Sequence, residues 1–98
     1  MLSGIAQMAI KEKKCLELRY DGFTRIVEVH IVGVKQKGGE AMSVWQLRGG
    51  SVSGERTGFK IFDLDETFSA HVIDEKSQAP RLGYNRADKA FKVVYAQV

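Results

Sequence analysis

The sequence predicts a mainly β domain, a small five-stranded barrel preceded by one N-terminal helix. Apolar residues follow helical spacing only near the N-terminus, and from Cys15 onward they alternate with a period of two. The alternating segments are short and are separated by Gly-, Asp- and Ser-containing turns. Five such strands, joined mostly by hairpins, can close on themselves and leave no unpaired edge. A short helical turn is also expected near the C-terminus.

The helix is predicted from Gly4 to about Lys13, with Ser3 as its N-terminal cap. Its apolar stripe at helical spacing contains Leu2, Ile5, Met8 and Ala9. Lysines at the end of the helix suit the helix dipole, which favours cations there. A solvated helix end explains these lysines, and a phosphate-binding role is the alternative.

Two strands follow, joined by a tight turn at Asp21-Gly22. In the first strand the residues that share the apolar face are Leu16, Leu18 and Tyr20. The second strand, from Thr24 to about Lys35, is apolar on both faces, which is typical of a central or strongly bent strand. Gly33 predicts a bend or bulge in it. Strict alternation puts Arg25 and His30 on opposite faces of this strand.

The third strand carries the only tryptophan, Trp45, and ends at Gly49-Gly50. Alternation places Trp45 and Leu47 in the barrel core and Gln46 and Arg48 on the opposite face. A Gly/Ser-rich loop extends from there to residue 58. The fourth strand is predicted over residues 59–64 and the fifth over residues 67–73.

The C-terminal part begins with an aperiodic segment, residues 74–83, which is interpreted as an ordered crossing loop. Asn85, with Asp88 three residues later, resembles a capping box for a helical turn that ends at Lys89 or Ala90. Residues 91–96 then alternate and form either an edge strand or a helical extension, although their β-branched residues favour a strand. We interpret residues 1–98 as one domain, with a core barrel over 4–74 and a C-terminal extension over 75–98.

Composition limits the class of protein. Ninety-eight residues form one small domain, and a net charge of +3 permits binding of anions or nucleic acid without requiring it. Cys15 is the only cysteine, so neither an internal disulfide nor a cysteine-based metal cage is possible. Apolar runs are too short for a membrane span, and the N-terminus lacks a signal-peptide pattern. We therefore expect a cytoplasmic protein, bacterial or phage, without a membrane partner.

No pattern indicates catalysis, a metal site or a cofactor. The Gly-rich segment 49–54 does not lead into a helix, so it is not a phosphate-binding loop. Residues 63–66, with His71, match no metal-ligand spacing and are typical of a polar turn. Glu28 and His30 share one face of a strand, but no serine is placed near them by the sequence, and Cys15 at a strand start is expected to be buried. We predict no enzymatic activity, no catalytic residues and no metal ligands.

The basic and polar residues of strands two to four are the candidate ligand-binding residues. If these strands are neighbours, several of these side chains can form one basic surface, and arginine is suited to bidentate anion recognition. Ordinary solvent-facing positions on a half-exposed sheet are the alternative. The candidates are Arg25, His30, Gln46, Arg48, Arg56 and Lys60.

The same residues resemble the WYL domain family, which is named for a Trp-Tyr-Leu tripeptide on a central strand. Trp45-Gln46-Leu47 is similar to that tripeptide, and residues 24–30 resemble an "R-x-V-E-P" strand with Val29 in place of the proline. Further matches, over roughly residues 4–74 in all, are the helix pattern of Ile5, Ala9 and Ile10, the strand end at residues 18–21, and Arg56 with Phe59-Lys60 as an "R-x-F" motif. Residues 81–90 resemble a subgroup of small stand-alone bacterial WYL-like proteins.

The resemblance implies a Sm-like (SH3-like) barrel and a role in ligand sensing, which WYL domains perform in bacterial transcriptional regulators. It assigns a basic pocket for nucleotides or nucleic acid to the six candidate residues. This chain departs from the family pattern at three points. Gln46 replaces the tyrosine of the tripeptide, and a later arginine of the family is either replaced by Asp63 or missing. The chain also has no helix-turn-helix. The function expected is a non-enzymatic module that binds a phosphorylated small molecule or single-stranded nucleic acid. The alternative is a structural or protein-interaction module, a homodimer or accessory subunit, suggested by the apolar stripe of Phe91, Val93 and Tyr95.

Overall fold

The computed structural model describes residues 2–98. Strands make up 55% of the chain, and one helix, α1 (Leu2–Glu12), precedes them. A short 3-10 helix, Leu64–Glu66, follows the fourth strand. The strands are β1 (Lys14–Tyr20), β2 (Phe23–Lys35), β3 (Glu40–Gly49), β4 (Gly58–Asp63), β5 (Thr67–Lys76) and β6 (Phe91–Gln97).

All strands belong to one antiparallel sheet, with the order β4-β3-β2-β1-β5. Strand β2 is the organising element because it is 13 residues long and has three partners. Strand β3 pairs along one edge of β2. The other edge is shared: β1 pairs with residues 23–27 and β6 with residues 31–35.

The sheet has six strands and is not closed, so the predicted five-stranded barrel is not confirmed. Within residues 2–98, β4 pairs only with β3, and β5 pairs only with β1. The sixth strand is the C-terminal segment, which adopts the strand alternative rather than the helical one. It pairs with β2 because β1 leaves the second half of that edge free.

Helix α1 and the core beneath it lie on one face of the sheet. Ala6 and Ala9 are fully buried there, and their small side chains let the helix approach the strands closely. Met8, predicted on the apolar stripe, is instead 49% exposed, and Ser3 is buried inside the helix rather than capping it. The buried core comprises Ala6, Ala9, Leu16, Leu18, Val27, Val29, Val32, Met42, Val44, Phe62 and Leu64.

The opposite face of the sheet is covered by residues 77–90, which we call the strap. The strap connects β5 to β6 and contacts β2 and β3. Because helix and strap cover opposite faces, β2 is buried without interruption from Arg25 to Gly33. This explains why the second strand is apolar in both alternating sets.

The predicted orientation of β3 is wrong. Met42 and Val44 belong to the core under the helix, while Trp45 lies on the strap face, where its ring meets Phe59 edge-on at 5.0 Å. The Arg81 guanidinium covers Trp45 at 5.6 Å from the ring centroid. The alternating pattern of β3 places apolar residues on both of its faces. Only the packing of the helix and the strap decides which face is buried in the core.

The predicted helical turn near the C-terminus is not found. Instead, Asn85 Oδ1 accepts a hydrogen bond from the Ala87 amide at 3.0 Å, and Asp88 Oδ1 accepts one from the Ala90 amide at 2.9 Å. Each side chain thus bonds to the backbone two residues ahead, which forms successive turns instead of capping a helix. The turns lead the chain into β6.

Candidate functional site

The six predicted site residues fall into separate environments and do not form one pocket. Arg25 and Gln46 are buried on the helix side of the sheet, and His30 is buried under the strap. Arg48 and Arg56 lie together at an open depression. Lys60 contacts the loop between β3 and β4.

Arg25 and Gln46 form a buried hydrogen-bond network. The Nε and Nη2 atoms of Arg25 donate to the carbonyl of Tyr20 at 3.2 and 3.0 Å, and Nη1 donates to Gln46 Oε1 at 3.3 Å. Gln46 Nε2 in turn donates to the Gly50 carbonyl at 3.1 Å. The network joins the end of β1 to the end of β3 and so holds the Asp21-Gly22 turn and the Gly49-Gly50 break together.

The Arg25 guanidinium lies among aromatic rings rather than beside a carboxylate. Its central carbon is 5.0 Å from the Phe62 ring and 5.5 Å from the Tyr20 ring, and these two rings stack on each other at 4.3 Å. Burial lowers the pKa of Arg25, and the charge of nearby Asp21 partly offsets this. Only 3% of the surface of Arg25 is exposed, so its guanidinium is held by contacts inside the protein.

Glu28 and the strap residue Arg81 form a buried ion pair on the other face. Arg81 Nε donates to Glu28 Oε1 at 2.7 Å, and Nη2 donates to Oε2 at 3.1 Å, which is the bidentate geometry of a strong charged pair. The Gln78 amide also donates to Glu28 Oε2. A fully buried carboxylate is therefore neutralised by a segment that lies about 50 residues away in sequence.

His30, next along β2, is also fully buried and bonds to the strap. Its Nδ1 lies 3.0 Å from the Glu28 carbonyl, and its Nε2 accepts a hydrogen bond from the Arg81 amide at 3.0 Å. A carbonyl can only accept and an amide can only donate, so Nδ1 carries the proton and Nε2 does not. Burial is the largest cause of the lowered pKa of His30, and the nearby Glu28 partly offsets it.

Arg48 and Arg56 line one open depression of about 540 Å³, which we call the arginine depression. Arg48 forms a bidentate pair with Glu75, at 2.6 and 3.0 Å, whereas no ion pair within residues 2–98 involves Arg56. The Phe23 ring forms a further wall and is 38% exposed. The lining residues are Phe23, Leu47, Arg48, Gly49, Gly50, Arg56 and Thr57.

Two glycines shape this depression. Gly49 has φ +115°, and a side chain there would overlap the Thr24 carbonyl on β2. A side chain at Gly50 would overlap the Phe23 ring, which lies directly on the Gly50 backbone. The Gly-Gly break thus permits both the strand end and the position of the aromatic wall.

Lys60 lies at the side of a second, smaller groove of about 350 Å³ between β4 and the strap. Its Nζ donates to Ser51 Oγ at 3.3 Å, which links β4 to the loop that carries Arg56. The groove has an apolar floor of Phe59 and Ile61 and a rim formed by the strap residues Tyr84, Asn85 and Asp88.

Sequence reasoning missed Glu28, Arg81 and Tyr84, which hold the strap face together. An acidic residue within an apolar strand was the available signal for Glu28, because a buried carboxylate requires a partner. Cys15 is buried as expected, and burial raises the pKa of its thiol to about 11, with Glu75 the next cause. No group of three or more His, Cys, Asp or Glu side chains in the described part of the chain could hold a metal ion.

Comparison of the chain with protein-family models, curated proteins and solved structures finds no match. Within residues 2–98, no helix has the length and apolar character needed to cross a membrane.

Proposed function

We propose that this protein is a non-enzymatic module that binds a phosphorylated small molecule or single-stranded nucleic acid at the arginine depression. The observation that carries the proposal is that Arg48, Arg56 and the exposed ring of Phe23 line the same open surface. Guanidinium groups bind phosphate through paired hydrogen bonds, and an exposed aromatic ring offers a stacking platform for a base. The volume lies within the range of about 300–1,000 Å³ that small-ligand sites occupy.

The proposal keeps only part of the predicted ligand-binding set. Arg48 and Arg56 contact the ligand directly. Arg25 and Gln46 hold the walls of the depression in place from behind, since Gln46 fixes Gly50 and Arg25 lies 5.6 Å from the Phe23 ring. His30 and Lys60 serve other parts of the molecule.

Glu75 gives the proposed site an internal competitor. Its two carboxylate oxygens accept hydrogen bonds from both terminal nitrogens of Arg48. This pairing raises the pKa of Arg48 and lowers the pKa of Glu75. A phosphate must displace this carboxylate or bind to Arg56 first. The side chains of Arg48 and Glu75 are 57% and 37% exposed, so the pair is accessible to an incoming anion.

The test measures binding of a fluorescent nucleotide and of a short single-stranded oligonucleotide at two salt concentrations. We expect Arg56→Ala to weaken binding roughly tenfold or more, because a hydrogen bond to a charged group contributes about 1.5–3 kcal/mol. Glu75→Gln should strengthen binding by freeing Arg48, and wild-type affinity should fall as salt rises. The ratio of nucleotide to oligonucleotide affinity distinguishes the two ligand classes.

Arg19→Ala is the matched control, since it removes one exposed arginine from a different surface, beside Asp21 and Glu66. Equal losses for Arg19→Ala and Arg56→Ala would indicate a general charge effect and contradict the proposed site. A Glu75→Gln variant that binds no better than wild type would also count against it.

The proposal includes the family relationship, in which the open sheet is a variant of the Sm-like barrel of WYL domains. Its supports are the helix packed on one face, the strand order β4-β3-β2-β1-β5, and the 3-10 helix between β4 and β5. The strand with Trp45-Gln46-Leu47 is also an interior strand of the sheet, between β2 and β4, which agrees with a tripeptide on a central strand.

A protein-interaction role is the second candidate, and one observation favours it. Strand β6 pairs with β2 along one edge only, and its apolar side chains Val93, Val94 and Tyr95 are each 40–45% exposed. An exposed apolar strand with an unpaired edge can pair with another strand. The apolar residues of β2 do not contribute to this surface, because the helix and the strap bury them.

A further inference from the structure

We propose that the strap, residues 77–90, is an acid-released latch in which protonation of His30 detaches the strap from the sheet. The latch lies on the face opposite the Arg25 network and does not depend on the proposed ligand function. Its basis is a set of hydrogen bonds in which one buried imidazole nitrogen must remain unprotonated.

The N-terminal half of the strap is held to the sheet through two adjacent polar residues of β2. Glu28 accepts hydrogen bonds from the Gln78 amide and from the Arg81 side chain, and His30 accepts one from the Arg81 amide. Tyr84 adds a further attachment, because its hydroxyl can donate to the His30 carbonyl at 3.5 Å or to the Val98 carbonyl at 3.2 Å. Between these residues, Leu82 is 99% exposed, so it adds no apolar anchor.

Protonation of His30 is incompatible with this arrangement. Nδ1 already carries a proton that it donates to the Glu28 carbonyl, so a second proton must enter at Nε2. Nε2 then becomes a donor that faces another donor, the Arg81 amide. One strap bond is lost and replaced by a clash of like groups, and the positive imidazolium also meets the Arg81 guanidinium.

Two charged and two aromatic side chains face His30 from the elements packed on it. Glu28 on its own strand attracts the imidazolium, Arg81 on the strap repels it, and Tyr84 on the strap packs edge-on at 5.0 Å. Strand β4 contributes only the ring of Phe59, at 5.2 Å. The apolar enclosure by Phe59 and Tyr84 excludes the water that would solvate a charged imidazole.

The direction of the pH effect follows from the lowered pKa of His30 in the closed state. In the released state His30 is exposed to water and titrates near its ordinary value of about 6.5. The closed state is therefore fully favoured above about pH 6.5 and loses stability as the pH falls below that value. Since the Arg81 amide occupies Nε2 in the closed state, the proposal requires that the proton binds only in the released state, and the opening constant should then rise about tenfold between pH 7.5 and pH 5.5.

Release would uncover the aromatic side chains beneath the strap. Trp45 would lose the Arg81 guanidinium that covers it, and the groove over Phe59 and Ile61 would open along its strap side. The helix face of the sheet would remain packed, because none of the strap contacts includes a core residue under α1.

The latch can be tested on the full chain by hydrogen exchange measured against pH. After correction for intrinsic exchange rates, the amides of Gln78 and Arg81 should lose about tenfold in protection between pH 7.5 and 5.5. Amides in the β1–β2 ladder, such as that of Val27, should retain their protection.

Variants separate His30 from other titrating groups. His30→Gln should make strap protection independent of pH in this range, and Glu28→Gln should lower protection at every pH while the pH slope remains. The chain has two histidines, so His71→Gln is the matched control, and it should behave as wild type because His71 is exposed on β5.

Wild-type protein provides the decisive readout if His30→Gln fails to fold. Nitrogen chemical shifts of the His30 ring should identify the tautomer with a proton on Nδ1, and its titration should coincide with strap opening. A proton on Nε2 at neutral pH, strap protection that changes less than twofold between pH 7.5 and 5.5, or an unchanged slope in a folded His30→Gln variant would overturn the latch.

Discussion

At the scale of single residues, Arg25, Gln46 and His30 each have their hydrogen bonds satisfied inside the protein. From the sequence, these three side chains were expected to contact a ligand. The reason is the distance along the chain: the partner of Arg25 on β3 is 21 residues away, and that of His30 on the strap is 51 residues away. Arg48 and Arg56 were close enough in sequence, on either side of one loop, for their proximity to be anticipated.

Gly33 offers a test of how a single residue positions a strand. A side chain there would overlap the backbone of Val93 on β6, so Gly33→Ala must push β6 away from β2. We expect destabilisation of about 1–3 kcal/mol, the usual cost of overpacking, measured by urea unfolding, with faster hydrogen exchange in β6.

Gly4→Ala is the control for Gly33→Ala, since Gly4 lies in α1 and no atom lies within 4 Å of the added carbon. It should stabilise the protein by up to about 1 kcal/mol, because alanine favours helix. Similar effects of the two substitutions would show that β6 does not need the close approach at Gly33.

At the scale of elements, the existence of the helix and strands could be predicted more readily than the faces that they bury. The bounds of β4 and β5 agree with the sequence pattern to within a few residues. The faces of β3 were reversed because Met42 and Val44 compete with Trp45 and Leu47 for the core, and alternation cannot rank two apolar sets. The β-branched residues of β6 favour a strand, but no local signal shows which strand it pairs with, because its partner β2 is distant along the chain.

The exposed surface of β6 makes the interaction role testable at this scale. If β6 pairs with a second copy, light scattering at tens of micromolar should give twice the mass of the chain, and Val94→Lys should restore the monomer. Lys92→Ala, on the same strand, is the control that leaves the apolar side chains intact. A monomeric wild-type protein would contradict this role while leaving the arginine depression unaffected.

At the scale of the whole molecule, the fold is organised around β2, because both faces of this strand are covered. Helix α1 and the strap bury opposite sides of β2, so the C-terminal extension is part of the structure rather than an appendage to it. Glu28 shows this directly, since its charge inside the protein is tolerable only while Arg81 is in place.

Removal of residues 77–98 tests this view of the fold. The shortened chain would leave Glu28 and His30 without partners and would expose Ile31 and Ala41, which pack against Phe91. We expect loss of cooperative thermal unfolding and aggregation on size-exclusion chromatography, because the strap face of the sheet and the edge of β2 that pairs with β6 would both be open to water. Cooperative unfolding near the wild-type midpoint would instead show that the first 76 residues fold independently of the strap and β6.

The sequence by itself determined the class of the fold, the helix, the strands of the hairpins and the burial of Cys15, because these depend on local periodicity and on residues close along the chain. Tertiary structure alone decided that β2 is shared between β1 and β6, which face of β3 is buried, and that Arg81 neutralises Glu28. Those features depend on contacts between segments that are distant along the chain, and no local pattern encodes which of two apolar faces a distant segment will cover. Arg48 and Arg56 depend on both levels. The short loop between β3 and β4 places them on one surface, whereas the tertiary packing of Phe23 against Gly50 makes that surface a depression.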